Sequence, residues 1–198
     1  MKDKIIFSLK FLLLITILTG VIYPLFITLM AQIFFNEKAN GSLFYENGEA
    51  RGSFLIGQNF SDSIYFQSRP SAINYNPMPS GASNLGLTSK LLYEQFLERK
   101  RNFDLANSVD SSQLIPSEML FASASGVDPD ISKESAYLQI QRIVRARNLN
   151  AKAGIEIHDL IDEITEHPGL GFLGTERVNV LKLNIALDNF VDKWKTQN

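Results

Sequence analysis

The residues that could perform nucleophilic chemistry are a few serines and two histidines. Residues 81–85, Gly-Ala-Ser-Asn-Leu, are one glycine short of the G-x-S-x-G turn that exposes a catalytic serine, here Ser83. Ser125 lies in a second segment of small residues. A serine hydrolase also requires a base, and both His158 and His167 lie among carboxylates typical of a solvated helix face. The sequence therefore predicts no complete catalytic set, and a serine hydrolase using Ser83 or Ser125 is the alternative function.

Metal-binding and nucleotide-binding motifs are also incomplete. Glu163 and His167 have the i, i+4 spacing that can share a metal, but the H-E-x-x-H pattern is absent, and a cation near a helix C-terminus is the simpler interpretation of His167. Residues 169–174 match G-x-G-x-x-G, yet they follow a helix stop and precede a predicted strand, whereas the dinucleotide fingerprint follows a strand and opens a helix. We interpret them as a glycine-rich turn. The sequence has no cysteine, which excludes thiolate and disulfide chemistry.

One uncharged stretch decides where the rest of the chain must lie. Residues 11–35 contain no charged side chain, and a helix of this length, at about 1.5 Å per residue, covers a hydrocarbon core of roughly 30 Å. A cleaved signal peptide is the alternative, but it would need a shorter apolar core and small residues at the cleavage site, where Leu29 and Ala31 match poorly. The stretch is therefore predicted to be a retained transmembrane helix.

Charges beside this span predict its orientation. Lys2, Lys4 and Lys10 precede it, opposed only by Asp3, and positive charge near a span tends to stay in the cytoplasm. Residues 1–10 are therefore predicted to be cytoplasmic, and residues 36–198 to form one extracytoplasmic domain. That domain has more acidic than basic residues, which argues against a nucleic-acid partner.

Small or polar residues recur at every fourth position of the span. Such a row could pack against another membrane helix. Alternatively, Thr and Gly are simply common in spans and the proline only kinks this one. Both interpretations stay open for Thr16, Gly20, Pro24, Thr28 and Gln32.

The remaining sequence predicts an α+β domain. Asn47-Gly48 favours the positive φ angles of a type I′ turn, which predicts a β-hairpin of residues 42–45 and 53–56. Residues 57–86 are rich in Ser, Asn, Pro and Gly but hold four aromatic side chains, which indicates an ordered loop. Because the strands and helices do not alternate regularly, a βαβ architecture is not expected.

Helical periodicity and capping residues locate the other elements. Ser132 is the expected N-cap of a helix that reaches Arg147, whose C-terminal cations Arg142, Arg145 and Arg147 suit the helix dipole. An apolar alternating run predicts a late strand. The predicted helices cover residues 89–102, 132–147, 155–166 and 184–194, and the predicted strand covers residues 178–183.

Several motifs, in order along nearly the whole chain, resemble the C subunit of the bacterial Kdp-type potassium-transporting ATPase. The resemblance implies a non-catalytic accessory subunit of a high-affinity potassium uptake complex in the inner membrane, assisting its assembly and activity. The implied partners are a channel-like potassium-translocating subunit, a P-type ATPase subunit and a very small membrane subunit. The motifs are Gly52 to Gln58, Tyr65 to Ala72, Ser80 to Gly86, Ala122 to Ser132, Ala146 to Leu149 and Arg177 to Asp188.

The family is described as a catalytic chaperone that raises the ATP affinity of the pump, and a glutamine after its Ala-Arg-Asn-Leu segment is proposed to touch nucleotide. Ala153 stands at that position here. The predicted orientation also places it away from cytoplasmic ATP. ATP is therefore expected at the level of the complex, with no nucleotide-binding, catalytic or metal-binding residue assigned to this chain.

Loop residues of the domain are the candidates for partner contact or for fixing the loops. Small polar and aromatic side chains supply contact area and hydrogen bonds at interfaces. Asp128, directly before Pro129, is more simply a carboxylate that bonds local backbone N–H groups. A free ligand-binding module is disfavoured, because docking better explains the single anchor and the polar loops. The candidates are Tyr65, Phe66, Arg69, Ser83, Asn84, Ser123, Ser125 and Asp128.

Overall fold

A computed structural model describes residues 1–110 and 112–197 of the chain. The fold mixes helices with two small sheets and begins with a long apolar helix, as the sequence predicts. By its internal contacts the chain forms two compact units, Met1–Arg51 and Gly52–Asn198. The second unit contains the hydrophobic core and most of the candidate residues.

The first unit is dominated by one helical stretch. It consists of α1 (Lys2–Ile17), a π-helical turn (Leu18–Ile22) and α2 (Tyr23–Phe34). Within the described residues this is the one helix long and apolar enough to cross a membrane, and it begins nine residues before the predicted start at Phe11. Pro24 explains the wider turn, because a proline inside a helix removes one backbone donor and its ring crowds the preceding turn.

A short helix and a hairpin follow. Helix α3 covers Asn36–Ala39, β1 covers Leu43–Glu46 and β2 covers Glu49–Ser53. Asn47 (φ 53°) and Gly48 (φ 82°) both adopt the positive φ that a type I′ turn requires, which confirms the predicted hairpin. The predicted second strand at residues 53–56 is wrong, because a two-residue turn starts the return strand at Glu49.

The second unit consists of helices around one core and a two-stranded sheet. The strands are β3 (Asp130–Ile131) and β4 (Val178–Asn179), antiparallel, with Asp130 opposite Asn179 and Ile131 opposite Val178. A 3₁₀ turn covers Ser117–Met119. The helices are α4 (Lys90–Asn107), α5 (Lys133–Tyr137), α6 (Ile140–Ala146), α7 (Ala151–Ile164) and α8 (Val180–Gln197).

Two predicted elements are shorter or interrupted in the structure. The predicted strand over residues 178–183 is wrong beyond Asn179: the Asn179 Oδ1 accepts from the Lys182 N–H at 3.1 Å, so the chain turns into α8 at Val180. The predicted helix from Ser132 to Arg147 has the expected cap, with the Ser135 N–H donating to the Ser132 Oγ, but it breaks between α5 and α6. The side chain of Gln139, at that break, is fully buried.

The other helices have longer or shifted bounds. Helix α4 follows its cap, Ser89, so it starts within one residue of the predicted bound, and it continues five residues beyond 102. Helix α7 starts at Ala151 rather than at residue 155, because Asn150 Oδ1 accepts from the Ala153 N–H at 3.0 Å. Residues 169–174 form the predicted turn, with Gly169 and Leu173 paired across it.

The core gathers around one face of α8. Leu183, Leu187 and Val191 recur every fourth residue and are nearly or fully buried, which is the spacing of one helix face. Helices α6 and α7 supply Ile143, Ile157 and Ile161 to the same core, and the loop of residues 57–86 supplies Phe66. The other buried members of this core are Phe103, Met119, Ile131, Ala136, Val178 and Val180.

Candidate functional site

Most candidate residues lie on two irregular segments that bond to each other, residues 57–86 and 121–129. We call them the loop pair. The N–H of Gly57 donates to the Val127 carbonyl at 2.7 Å, and the N–H of Gly81 donates to the Ser125 carbonyl at 3.1 Å. Ser123 bonds to the opposite segment in the same way. These bonds satisfy backbone groups without a sheet or helix, so the loop pair is an ordered structure.

The close approach of the two segments requires glycine at residue 126. Its φ is +73°, and a Cβ there would lie 2.5 Å from the Ile73 Cγ1 and 2.8 Å from the Gly81 carbonyl oxygen. The Ser71 Oγ donates to the Gly126 carbonyl at 2.6 Å. The same Oγ accepts from the Tyr75 N–H at 2.9 Å, so one hydroxyl ties a turn of the first segment to the second.

Arg69 and Asp128 form an ion pair across the loop pair. The Arg69 Nη1 donates to the Asp128 Oδ2 at 2.7 Å, and both side chains are less than one-third exposed. The Asp128 Oδ1 accepts from the N–H of Asp130 at 3.1 Å, which is the Asx-turn bond expected of a loop-fixing carboxylate. The partner-facing role of Asp128 stays a prediction.

A buried arginine binds the backbone of the first segment of the loop pair, residues 57–86. Arg142, on α6, is 5% exposed, and its Nη1 donates to the carbonyls of Ser63 at 2.6 Å and Tyr65 at 2.9 Å. Its other donors reach the side-chain oxygens of Asn107 at 2.9 Å and Gln139 at 2.7 Å. Burial lowers the pKa of Arg142 to about 10, so the guanidinium is protonated at neutral pH and keeps all of its donors.

Two side-chain amides pair with the loop backbone as a strand would. Asn184, on α8, accepts from the Phe66 N–H at 2.8 Å and donates to the Phe66 carbonyl at 2.9 Å. Gln139 does the same for Gln67, at 2.7 and 3.3 Å. Phe66 is fully buried, so of the two roles expected for it the structure fits loop fixing.

Tyr65 lies beside Phe66 in a second charged cluster. The Arg147 guanidinium lies 5.1 Å from the centre of the Tyr65 ring and donates to the Asp188 Oδ1 at 2.6 Å and to the Ile64 carbonyl at 2.8 Å. The Tyr65 hydroxyl donates to the Asp188 Oδ2 at 3.2 Å. Burial, followed by the Asp188 carboxylate, raises the pKa of Tyr65, so its phenol is neutral at physiological pH.

The serine and asparagine candidates occupy different environments. Ser123 is 3% exposed and therefore also belongs to the fixed part of the loop pair. Ser125 is exposed, and its Oγ accepts from the Val127 N–H at 3.2 Å. Ser83 and Asn84 are exposed, and Asn84 has a φ of +53°. These three residues therefore present polar groups on the outer surface of the loop pair.

Both histidines lie beside surface carboxylates that share one lysine, since the Lys133 Nζ is 2.6 Å from Asp162 and 3.9 Å from Glu176. His167 Nδ1 lies 2.9 Å from the Glu176 Oε1, which is a different partner from the Glu163 that its spacing suggested. The ring of His158 stacks on Tyr137 at 4.0 Å, and His158, Asp159 and Asp162 have ligand atoms within 4.8 Å of one another.

The group of His158, Asp159 and Asp162 is exposed, and Asp162 already has hydrogen-bond partners. The Asp162 Oδ1 accepts from the Lys133 Nζ and from the Tyr137 hydroxyl, both at 2.6 Å. The Lys133 bond, with the Tyr137 bond second, lowers the pKa of Asp162. Because Asp162 already bonds a lysine and a tyrosine, we interpret the group as an ion-pair network.

An open cleft of about 540 Å³ borders the loop pair at the Arg69–Asp128 ion pair. Carboxylates outnumber arginines along it. Burial raises the pKa of the Asp130 carboxyl, and the nearby Arg177 opposes that shift. Arg177 Nη2 also lies 3.0 Å from Glu166 Oε2, which in turn binds Lys182 through Oε1 at 2.6 Å. The cleft is lined by Arg69, Glu118, Asp128, Asp130, Ile131, Ser132, Glu134, Thr175, Glu176 and Arg177.

Sequence reasoning did not find the residues that hold the loop pair in place. The arginines near residue 147 were expected to serve the helix dipole, but Arg142 and Arg147 instead bind loop carbonyls, and Arg145 reaches the Ala106 carbonyl at 3.3 Å. A signal was present, because a polar residue inside an apolar helical stripe must find a buried partner. Gln139, Arg142 and Asn184 are such residues.

Ala153 and the row of small or polar residues in the predicted span lie outside the loop pair. Ala153 is fully buried in the first turn of α7. In the first unit, the Thr28 Oγ1 donates to the Pro24 carbonyl at 2.8 Å, and Gly20 has open space where a Cβ would lie. Gln32 accepts from the side-chain amides of Asn36 and Asn40. The role of the row from Thr16 to Gln32 in helix packing stays a prediction.

These features define a protein that has, in the part of the chain the structure describes, one candidate membrane helix and a mixed helix and sheet body with an ordered loop pair. The family model described as "K+-transporting ATPase, c chain" matches residues 5–189. The chain therefore belongs to the KdpC family, which confirms the resemblance found in the sequence.

Curated relatives cover nearly the same length. A potassium-transporting ATPase KdpC subunit of Klebsiella pneumoniae is 43% identical over 189 residues, 94% of this chain and 97% of the relative. Proteins of the same description from Mycobacterium tuberculosis and Erwinia tasmaniensis are 40% identical over 190 residues and 46% identical over 179 residues. They cover 95% and 89% of this chain, and 99% and 92% of the relatives' own lengths.

Replacement of Asp128 tests its loop-fixing role. We expect Asp128→Ala to lower the free energy of unfolding by about 1 to 2 kcal/mol, because the Asp130 N–H and the Arg69 guanidinium lose their acceptor. Asp128→Asn is the matched control, since it keeps an oxygen for the Asp130 N–H and loses the charge, and it should lose less stability. Urea unfolding of the full chain in detergent, followed by fluorescence of the single tryptophan, Trp194, measures both.

The competing role of Asp128 predicts a different pattern. If Asp128 contacts a partner, both variants should unfold like the original chain while partner subunits are lost on purification. That result would contradict the loop-fixing role.

Proposed function

We propose that this chain is a non-catalytic accessory subunit of an ATP-driven, high-affinity potassium uptake complex, assisting the assembly and activity of its other subunits. The observation that carries the proposal is the family match over residues 5–189, together with relatives described as subunits of a potassium-transporting ATPase. The partners proposed for this chain are a channel-like potassium-translocating subunit, a P-type ATPase subunit and a small membrane subunit.

The loop pair supports a role in docking. Arg142, Asn184 and Gln139 fix its backbone from inside the second unit, so its outer surface is ordered before any partner arrives. A preorganised surface loses less conformational entropy on binding than a flexible one. Tyr65, Arg69, Ser83, Asn84 and Ser125, which are at least partly exposed, would then supply contact area and hydrogen bonds.

ATP is proposed to act on the complex and not on this chain. Ala153 replaces the family glutamine, and its fully buried methyl group offers no polar atom to a nucleotide. The role of the chain would then be to position its partners. The hydrolase alternative has weaker support, because no serine is among the described partners of His158 and His167, which are Asp162, Glu176 and the Tyr137 ring.

The same proposal includes an orientation. Lys2, Lys4 and Lys10 would keep residues 1–10 in the cytoplasm, the helix would cross the bacterial inner membrane once, and the second unit would lie outside the cytoplasm.

Protease accessibility tests this orientation. Protease added to intact spheroplasts should digest the chain beyond Asn36, because the second unit would face the outside. The control is a cytoplasmic protein of the same cells, which must stay intact. Protection of the second unit in spheroplasts, followed by digestion after lysis, would contradict the orientation.

Truncation tests the accessory role. A chain ending at Lys38 should insert into the membrane yet fail to support potassium-dependent ATPase activity, because the second unit that positions the partners is missing. Residues 52–198 supplied separately should restore little activity, since the covalent anchor raises the local concentration of this unit into about the millimolar range.

Purification of the full chain distinguishes an accessory subunit from a hydrolase. The full chain should be purified from detergent together with large membrane partners, whereas a hydrolase would be purified and would act alone. Full activity of the truncated chain would overturn the docking account.

A further inference from the structure

One apolar surface feature lies outside the loop pair. The turn at residues 169–174 exposes three large apolar side chains, Leu170 (84% exposed), Phe172 (73%) and Leu173 (58%), which we call the apolar tip. Single exposed apolar residues are common on protein surfaces, whereas larger apolar patches mark interaction sites, and here three such residues lie within one short turn. These side chains lie outside the hydrophobic core of the second unit.

The apolar tip is held in a defined shape. Gly169 and Leu173 donate to each other's carbonyls, both at 2.9 Å, and Glu166 and Arg177 pair in the same way at the base of the turn, at 2.8 and 3.1 Å. Leu170 has a φ of +54°, a backbone conformation that is uncommon for residues other than glycine and costs free energy. Residues in such conformations are concentrated at functional sites. The exposed side chains are therefore presented by a fixed backbone.

The charges near the tip favour a protein partner over a lipid surface. The sequence between Glu166 and Glu176 contains no Lys or Arg, whereas segments that bind anionic membranes are rich in both. The cations at the base, Arg177 and Lys182, are both paired with Glu166. An aromatic and two aliphatic side chains on a rigid turn match the anchors that fill apolar pockets at protein interfaces.

We propose that the apolar tip inserts into an apolar pocket on another subunit of the potassium-transporting ATPase, with Phe172 as the central anchor. The proposal rests on the proposed function, because it requires that this chain assemble with other subunits. It adds the contact point, an apolar turn distinct from the polar loop pair, and the chemistry of the surface that receives it.

Site-specific photocrosslinking in the assembled complex tests the proposal. Phe172 is replaced by the photoreactive analogue p-benzoylphenylalanine in the full chain. The complex is irradiated in its native membrane and then purified, and the adduct is identified by mass spectrometry. The matched control is the same replacement at Leu105, on α4, which is 74% exposed. A crosslink from residue 172 to a different subunit, absent from residue 105, is the expected result. An adduct with lipid, a second copy of this chain or no polypeptide would overturn the proposal.

A second measurement separates this contact from folding and from the proposed function. Phe172→Ser should reduce retention of the chain with its partner subunits about tenfold after detergent extraction, the order expected for one interface anchor, while urea unfolding is unchanged. Leu105→Ser should leave retention unchanged. Equal retention of the two variants would contradict the apolar tip as an anchor. If the original chain itself brings down no ATPase subunit, the proposed function fails, whatever the variants do.

Discussion

The guanidinium of Arg142 is the group on which the rest of the second unit depends. It lies in the core with all its described hydrogen-bond partners neutral, namely two loop carbonyls and two side-chain amides. A charge buried in this way is unfavourable unless its donors are satisfied, and burial lowers the pKa of Arg142. The loop that carries Ser63 and Tyr65 must therefore follow the path that supplies those acceptors.

The other contacts of the loop pair follow from that path. Because residues 63–65 are bound to α6, the backbone of Phe66 lies beside Asn184 and that of Gln67 lies beside Gln139. The Phe66 side chain is buried in the core. The continuing chain then reaches the second segment, where Arg69 meets Asp128 and Ser71 meets Gly126. Thirty residues without a helix or strand thus become an ordered surface because the helices beneath them provide polar partners. Such a surface suits a subunit whose proposed work is to position other proteins.

Features that depend on neighbouring residues could be predicted from the sequence. The span is visible in composition alone, and Asn47-Gly48 determines its turn through the backbone preferences of two residues. The late strand could not be predicted fully. The alternating pattern of residues 178–183 is typical of a strand, but the Asn179 side chain caps a helix that starts at the next residue.

The candidate site was predictable in its location but not in its construction. Arg142 contacts carbonyls 77 and 79 residues earlier in the chain, and the Asn184 contact spans 118 residues. Periodicity within a helix places such residues on a face but does not identify what lies opposite. Phe66 and Ser123 were expected at a surface or a loop contact, and only the tertiary fold shows them to be buried.

Hydrogen exchange of the full chain tests the central claim most directly. In Arg142→Met the carbonyls of Ser63 and Tyr65 lose a buried donor, and each acceptor left unsatisfied costs about 1 to 3 kcal/mol, so the amides of Phe66 and Gln67 should exchange about 100-fold faster. Arg145→Met, which removes an exposed arginine from the same helix, should leave those amides protected. Equal protection of Phe66 and Gln67 in the original chain and in Arg142→Met would contradict the account.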